Sequence, residues 1–288
     1  MVSRPASYKL HPEAHALTVL PRLISSDVAT LEHCSSDYLV SNDPEVGHEL
    51  RVALRRLRAL LWAYQALLPE GLAKHWRQQL GDVANRIGAP RNWDVIIDSL
   101  LRAAVPSSHP SALIFLEALE GIRHNAREES RMAIRSPTQV QLISAFKAAI
   151  DQVAGGQLEK SKSIEEFARA RVKAASRRLD KLLPRARGGN LAALHQTRIQ
   201  IKRLRYLLEY FSPVLKKGDR KRIAGLARLQ GALGELNDVV VASTYISELP
   251  ALAEYASAHE LFTQWLQKEK KGRRQKAVRA LRGLSRQR

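Results

Sequence analysis

The chain has 288 residues, 45% of them hydrophobic, enough for a sizeable core in one duplicated domain or two ordinary ones. Its 47 Lys/Arg outnumber 28 Asp/Glu for a net charge of +19, a field that draws polyanions such as nucleic acid, polyphosphate or anionic lipid. The single cysteine, Cys34, excludes an internal disulfide and a thiolate metal cluster, and no apolar run reaches the ~18 residues of a membrane span or forms a signal-peptide core. A soluble cytoplasmic protein is therefore expected.

Apolar periodicity predicts a first helix over 13–40, with Leu17, Leu20, Leu23, Val28 and Leu31 on one face. Residues 41–45 (SNDPE) read as a turn. Asp43 and Pro44 open a second helix, expected to run to about 68 and to stop at Pro69. A third helix is expected over 71–87, broken at Gly88-Ala-Pro90, then a shorter one over 92–104 ending before Pro106. A long helix follows over 111–134, and Pro137 starts another that ends at Gly155-Gly156. Beyond a connecting segment, 164–183 is expected to be helical up to Pro184, and 191–210 up to Pro213. Residues 219–233 should form a basic helix ending at Gly234, and 251–285 a last helix with a basic, exposed tail from 268 onward. No alternating strand pattern occurs, so the fold class is all-α.

One pattern occurs twice. Residues 48–58 read HELRVALRRLR and residues 195–205 read HQTRIQIKRLR, 147 positions apart. The matched residues are His48, Arg51, Arg55, Arg56, Leu57, Arg58 and His195, Arg198, Lys202, Arg203, Leu204, Arg205, which marks an internal duplication. Wound at about 100° per residue, Arg51, Arg55 and Arg58 fall within roughly 80° of His48, while Leu50, Leu54, Leu57 and Leu61 take the other side. Each helix has a face to bury and a basic edge about 15 Å long. A solvated face would interleave acids at i+4, yet no Asp or Glu occurs over 51–65 or 198–208. Repulsion of about 0.2–0.5 kcal/mol per like-charged pair is thus incurred in matching positions, and a shared anion would offset it.

At these residues the chain resembles the CHAD domain (conserved histidine α-helical domain) family. The likeness covers nearly the whole of 1–288 as one domain, with a first half at about 12–136, a connecting segment 137–163 and a second half at about 164–288. Each motif is followed by a Gly- and Asp-containing segment, Gly88 to Asp94 and Gly234 to Asp238. The resemblance implies two pseudo-symmetric helical bundles packed around a basic central channel. It also implies binding of inorganic polyphosphate rather than catalysis, and a place at polyphosphate granules.

On that reading His48, Arg51, Arg55, Arg56 and Arg58, with His195, Arg198, Lys202, Arg203 and Arg205, are the residues expected to hydrogen-bond phosphate oxygens. Arginine predominates among them, and its planar charged fork suits two oxygens at once. Arg127, Arg131, Lys173, Arg177 and Lys181 recur along helices as candidates for an additional channel wall or for a solvated face. Asp94 and Asp238 read as helix caps or as partners of a motif arginine, since no nucleophile or metal accompanies them. Trp62, Trp76, Trp93 and Trp265 fall on apolar faces and read as core. No metal-ligand spacing, Gly-rich phosphate loop or cofactor motif occurs, so neither metal nor cofactor is expected. The competing expectation is a general nucleic-acid-binding protein acting through residues 141–288, which hold 31 Lys/Arg against 13 Asp/Glu.

Overall fold

A computed structural model describes residues 9–41, 43–156, 162–250 and 252–283, the side chains of 138–140 excepted. The middle of the expected connecting segment and the last five residues of the basic tail lie outside the described residues. The described residues form α-helices and no strand, with one isolated bridge between His15 and Ser163. The helices are α1 (Leu20–Val40), α2 (Pro44–Tyr64), α3 (Leu72–Arg86) and α4 (Gly88–Asp94). A π-helical stretch, Val95–Leu101, leads from α4 into the short α5 (Arg102–Ala104). Then come α6 (Ala112–Arg135), α7 (Pro137–Ala154), α8 (Ile164–Arg187), α9 (Leu191–Tyr210), α10 (Lys217–Ser247) and α11 (Ala256–Gly283).

Local chemistry accounts for the start of α2. The Asp43 carboxylate accepts from the Glu45 N–H at 2.8 Å, and Pro44 occupies the first helical position, where a missing N–H costs nothing. Several expected bounds shift, with α2 ending at Tyr64 rather than about 68 and α11 beginning at Ala256 rather than 251. Helix α1 begins at Leu20 rather than 13, because 14–16 instead bond to the chain before α8, with Ala16 N–H to Lys162 O at 3.0 Å. The break after α3 falls at Ile87 as expected, but the next helix starts at Gly88 rather than 92, with Pro90 in its first turn. Pro184 lies inside α8, which continues to Arg187. Gly234 lies inside α10, where Leu229, Leu233, Leu236 and Val239 are buried along one face. That burial outweighs a glycine penalty of about 1 kcal/mol.

The chain divides into two compact units: 1–87, 131–179 and 200–227 form the first, and 88–130, 180–199 and 228–288 the second. Each draws segments from both sequence halves. In the first unit α1 packs on α2, α2 on α3 and α1 on α7. Its core holds Leu23, Ile24 and Leu31 of α1 with Leu50, Leu54, Leu57 and Leu61 of α2. The Tyr64 and Phe167 rings meet there at 4.5 Å between centroids. In the second unit Trp93, Ile97, Phe115, Val239, Phe262 and Leu266 share one cluster. Here the expected exposed tail is corrected. Ala277 and Leu281 are fully buried, and Arg274 Nε donates to Gly189 O at 2.7 Å, so α11 is a packed helix through 283.

Candidate anion-binding site

In the first unit four helices bring six arginines into one cluster, three of them over one indole. Helix α2 supplies Arg55, Arg58 and Trp62, spaced i, i+3 and i+7 and so on one stripe. Helix α3 supplies Arg77, α8 supplies Arg171 and Arg178 two turns apart, and α9 supplies Arg203. Three guanidinium carbons lie over the Trp62 ring: Arg203 at 4.6 Å, Arg171 at 4.7 Å and Arg178 at 4.8 Å from its centroid. Arg171 also donates to the Trp62 carbonyl at 3.3 Å. Gly81 on α3 makes room for Arg58, since a Cβ there would stand 3.1 Å from the guanidinium carbon.

The cluster is poorly neutralised. Among the described residues none of the six arginines forms a salt bridge, and Arg55 Nε and Arg171 Nε are buried without a hydrogen-bond acceptor. Burial, then Arg77, Arg178 and Arg58, push the Arg203 guanidinium down to about 10. Burial lowers Arg58 as well, with Arg77 and Arg55 adding to it and Asp82 opposing. Arg77 and Arg171 are lowered by burial and then by Arg178. Five half-buried guanidinium groups and the exposed Arg178 that repel one another, with only Asp82 acting against that on Arg58, are the electrostatics of a site suited to an anion.

Arg56 departs from its expected role. It is 6% exposed, and its Nε donates to Asp27 at 2.7 Å while Nη1 donates to Glu209 at 2.6 Å. Tyr210 Oη donates to the other Asp27 oxygen, and the guanidinium lies 4.6 Å from the Tyr210 ring centre. Burial works against the Arg56 charge, but Tyr210, Asp27 and Glu209 outweigh it and hold the group above its ordinary value. For Asp27 burial prevails over the Arg56 attraction and raises the carboxyl. Arg56 is therefore a fold-internal ion-pair residue. Arg205, half-buried, pairs with the remaining Glu209 oxygen at 2.5 Å.

Two expected wall residues are likewise engaged within the fold. Arg127 donates to the buried Asp94 at 3.2 Å, and Arg131 donates to the carbonyls of Ser41 at 2.7 Å and Tyr38 at 3.3 Å. Asp94 thus pairs with α6 and not with a motif arginine. Lys173, Arg177 and Lys181 are exposed on α8. His48 and Arg51 on α2 and Lys202 on α9 are half-buried, while His195 and Arg198 belong to the second unit. Sequence reasoning missed Arg77, Arg171, Arg178 and the stacking role of Trp62. None of the three arginines recurs at the 147-residue offset, where Ala224, Ile24 and Leu31 stand, so a search for duplicated cations passes over them. The seven-residue spacing of Arg171 and Arg178 was the available signal.

The profile of the CHAD domain matches residues 22–247. The crystal structure of the CHAD domain from the plant Ricinus communis superposes with a TM-score of 0.84 at 25% identity, covering 97% of this chain and 96% of that one. PptA from Streptomyces chartreusis shares the fold, with a TM-score of 0.70 at 17% identity over 93% of this chain and 99% of that one. No curated protein matches the sequence.

Proposed function

Because the chain belongs to the CHAD domain family, we propose that it binds inorganic polyphosphate, without catalysis, in a basic channel lined by both motif helices. The observation that carries this reading is the six-arginine cluster of the first unit, in which α2 and α9 both take part and Arg203 is held down to about 10. A linear chain with a charge on each phosphate would relieve the repulsion among Arg55, Arg58, Arg77, Arg171, Arg178 and Arg203 at once. The proposal extends along the same helices to His48, Arg51 and Lys202. It places the protein in the cytoplasm, at polyphosphate granules.

The rival is general nucleic-acid binding through the basic excess of residues 141–288. Single-stranded nucleic acid is usually held by exposed aromatic platforms on which bases stack. Trp62 is 5% exposed beneath its guanidinium groups, and a ligand with no bases suits that arrangement better. A competition titration separates the two: labelled long-chain polyphosphate bound at about 0.15 M salt, challenged with duplex DNA and single-stranded RNA. Retention of polyphosphate supports a dedicated site, and ready displacement by nucleic acid refutes it. Arg58→Ala with Arg203→Ala is expected to weaken polyphosphate binding at least about tenfold with helical content unchanged.

A further inference from the structure

The two helices that carry the motif differ in charge at a matched pair of positions one turn beyond it. The 147-residue offset that takes Arg56 to Arg203 also takes Trp62 to Glu209. In the first unit Arg56 donates to Glu209 at 2.6 Å, and Arg203 lies 4.6 Å from the Trp62 ring centre. One contact is therefore made twice, from the first copy to the second and from the second to the first. This is the reciprocal pairing expected of a two-fold arrangement. One version ends on a carboxylate and the other on an indole.

That difference decides what each arginine can do. Glu209, with Asp27, neutralises Arg56 inside the fold. An indole attracts a guanidinium through its electron-rich face and brings no negative charge. Arg203 is thus held in place with its charge available, and the same ring holds Arg171 and Arg178 at 4.7 and 4.8 Å. Like-charged side chains would otherwise splay apart into solvent.

We propose that Trp62 is the positioning residue of the anion site: it gathers Arg171, Arg178 and Arg203 as unneutralised cations, where a carboxylate would disarm them. Being buried, it does not itself stack on a ligand. The inference rests on the polyphosphate reading above and deepens it. One copy of the duplicated contact locks the fold, and the other arms the site.

The test compares Trp62→Phe, Trp62→Glu and Trp62→Leu with the parent protein by titration with long-chain inorganic polyphosphate at about 0.15 M salt. Trp62→Phe is expected to bind within about threefold of the parent, and Trp62→Glu and Trp62→Leu to lose at least about tenfold, with helical content checked by circular dichroism. Parent-like binding by a folded Trp62→Glu or Trp62→Leu protein would overturn the proposal. A ligand-free readout stands beside it: the Nε–H NMR signals of Arg171, Arg178 and Arg203 should carry ring-current shifts in the parent protein. Unshifted signals there would overturn the proposal even if no variant folds. If the parent protein fails to bind polyphosphate at all, the functional reading falls, and the ring-current measurement still decides whether Trp62 gathers the three arginines.

Discussion

Arg56 Nη1 and Glu209 Oε2 lie 2.6 Å apart, joining α2 to α9 across 153 positions of sequence. With Asp27 they form a buried network in which one guanidinium bridges two carboxylates, Asp27 also accepting from Tyr210 and Glu209 also pairing with Arg205. Arg56→Ala leaves both acids buried without it, and should lower unfolding free energy by about 3–5 kcal/mol in urea titrations. Arg55→Ala, one residue earlier, should change stability by less than about 1 kcal/mol while weakening polyphosphate binding. Equal stability losses for the two variants would contradict this division of roles.

Arg203 carries the opposite sign of stability. Its charge is disfavoured in the folded state, where the group is pushed down to about 10 by burial and then by Arg77, Arg178 and Arg58. The cost is fully present below that pH and is relieved as pH rises through it toward the ordinary arginine range. Arg203→Met should therefore stabilise the protein by about 1 kcal/mol, less than the full shift would convert to because the guanidinium is partly solvated. The gain should hold steady from about pH 7 to 9 and narrow above pH 10 in denaturant melts. Polyphosphate affinity should fall in the same variant.

Arg77 and Arg178 contribute charge to the cluster without belonging to the duplicated motif. If each releases a counterion on binding, Arg77→Gln and Arg178→Gln should each reduce the slope of log affinity against log salt by about one. Arg127→Gln is the control. It removes a partner of the buried Asp94, so it should lower the melting temperature and leave the salt slope unchanged.

The basic end of α11 bears on the nucleic-acid alternative. Deleting residues from 268 onward would remove Ala277 and Leu281 from the second unit's core, so truncation should unfold that unit instead of reporting on charge. Lys268, Lys271 and Arg279 are exposed, and replacing all three with Gln keeps the helix. The triple variant should weaken DNA binding severalfold and leave polyphosphate affinity within about twofold, measured side by side. Equal losses for both ligands would favour a generic basic surface.

Helix positions were legible in the sequence because their causes are local. Asp43 and Pro44 start α2, Pro137 starts α7, and 191–210 was bounded correctly by periodicity and Pro213. The misread breakers, Pro184 and Gly234, are those whose cost depends on position within a helix or on burial of neighbouring leucines. The doubled basic stripe was legible too, as an acid-free run in two matching places.

What tertiary structure decided is the state of each charge. Arg56 and Arg203 hold the same place in the two copies, at the edge of the basic face, and nothing within either helix separates them. Arg56 meets Asp27 and Glu209, 29 and 153 positions away, and becomes part of the interior. Arg203 meets Trp62 and the cations of α3 and α8, and remains charged with no acid to answer it. Helical periodicity sets the direction in which a side chain leaves its own helix. Whether that charge is neutralised depends on which distant residue the packing brings opposite, and only the folded chain determines that.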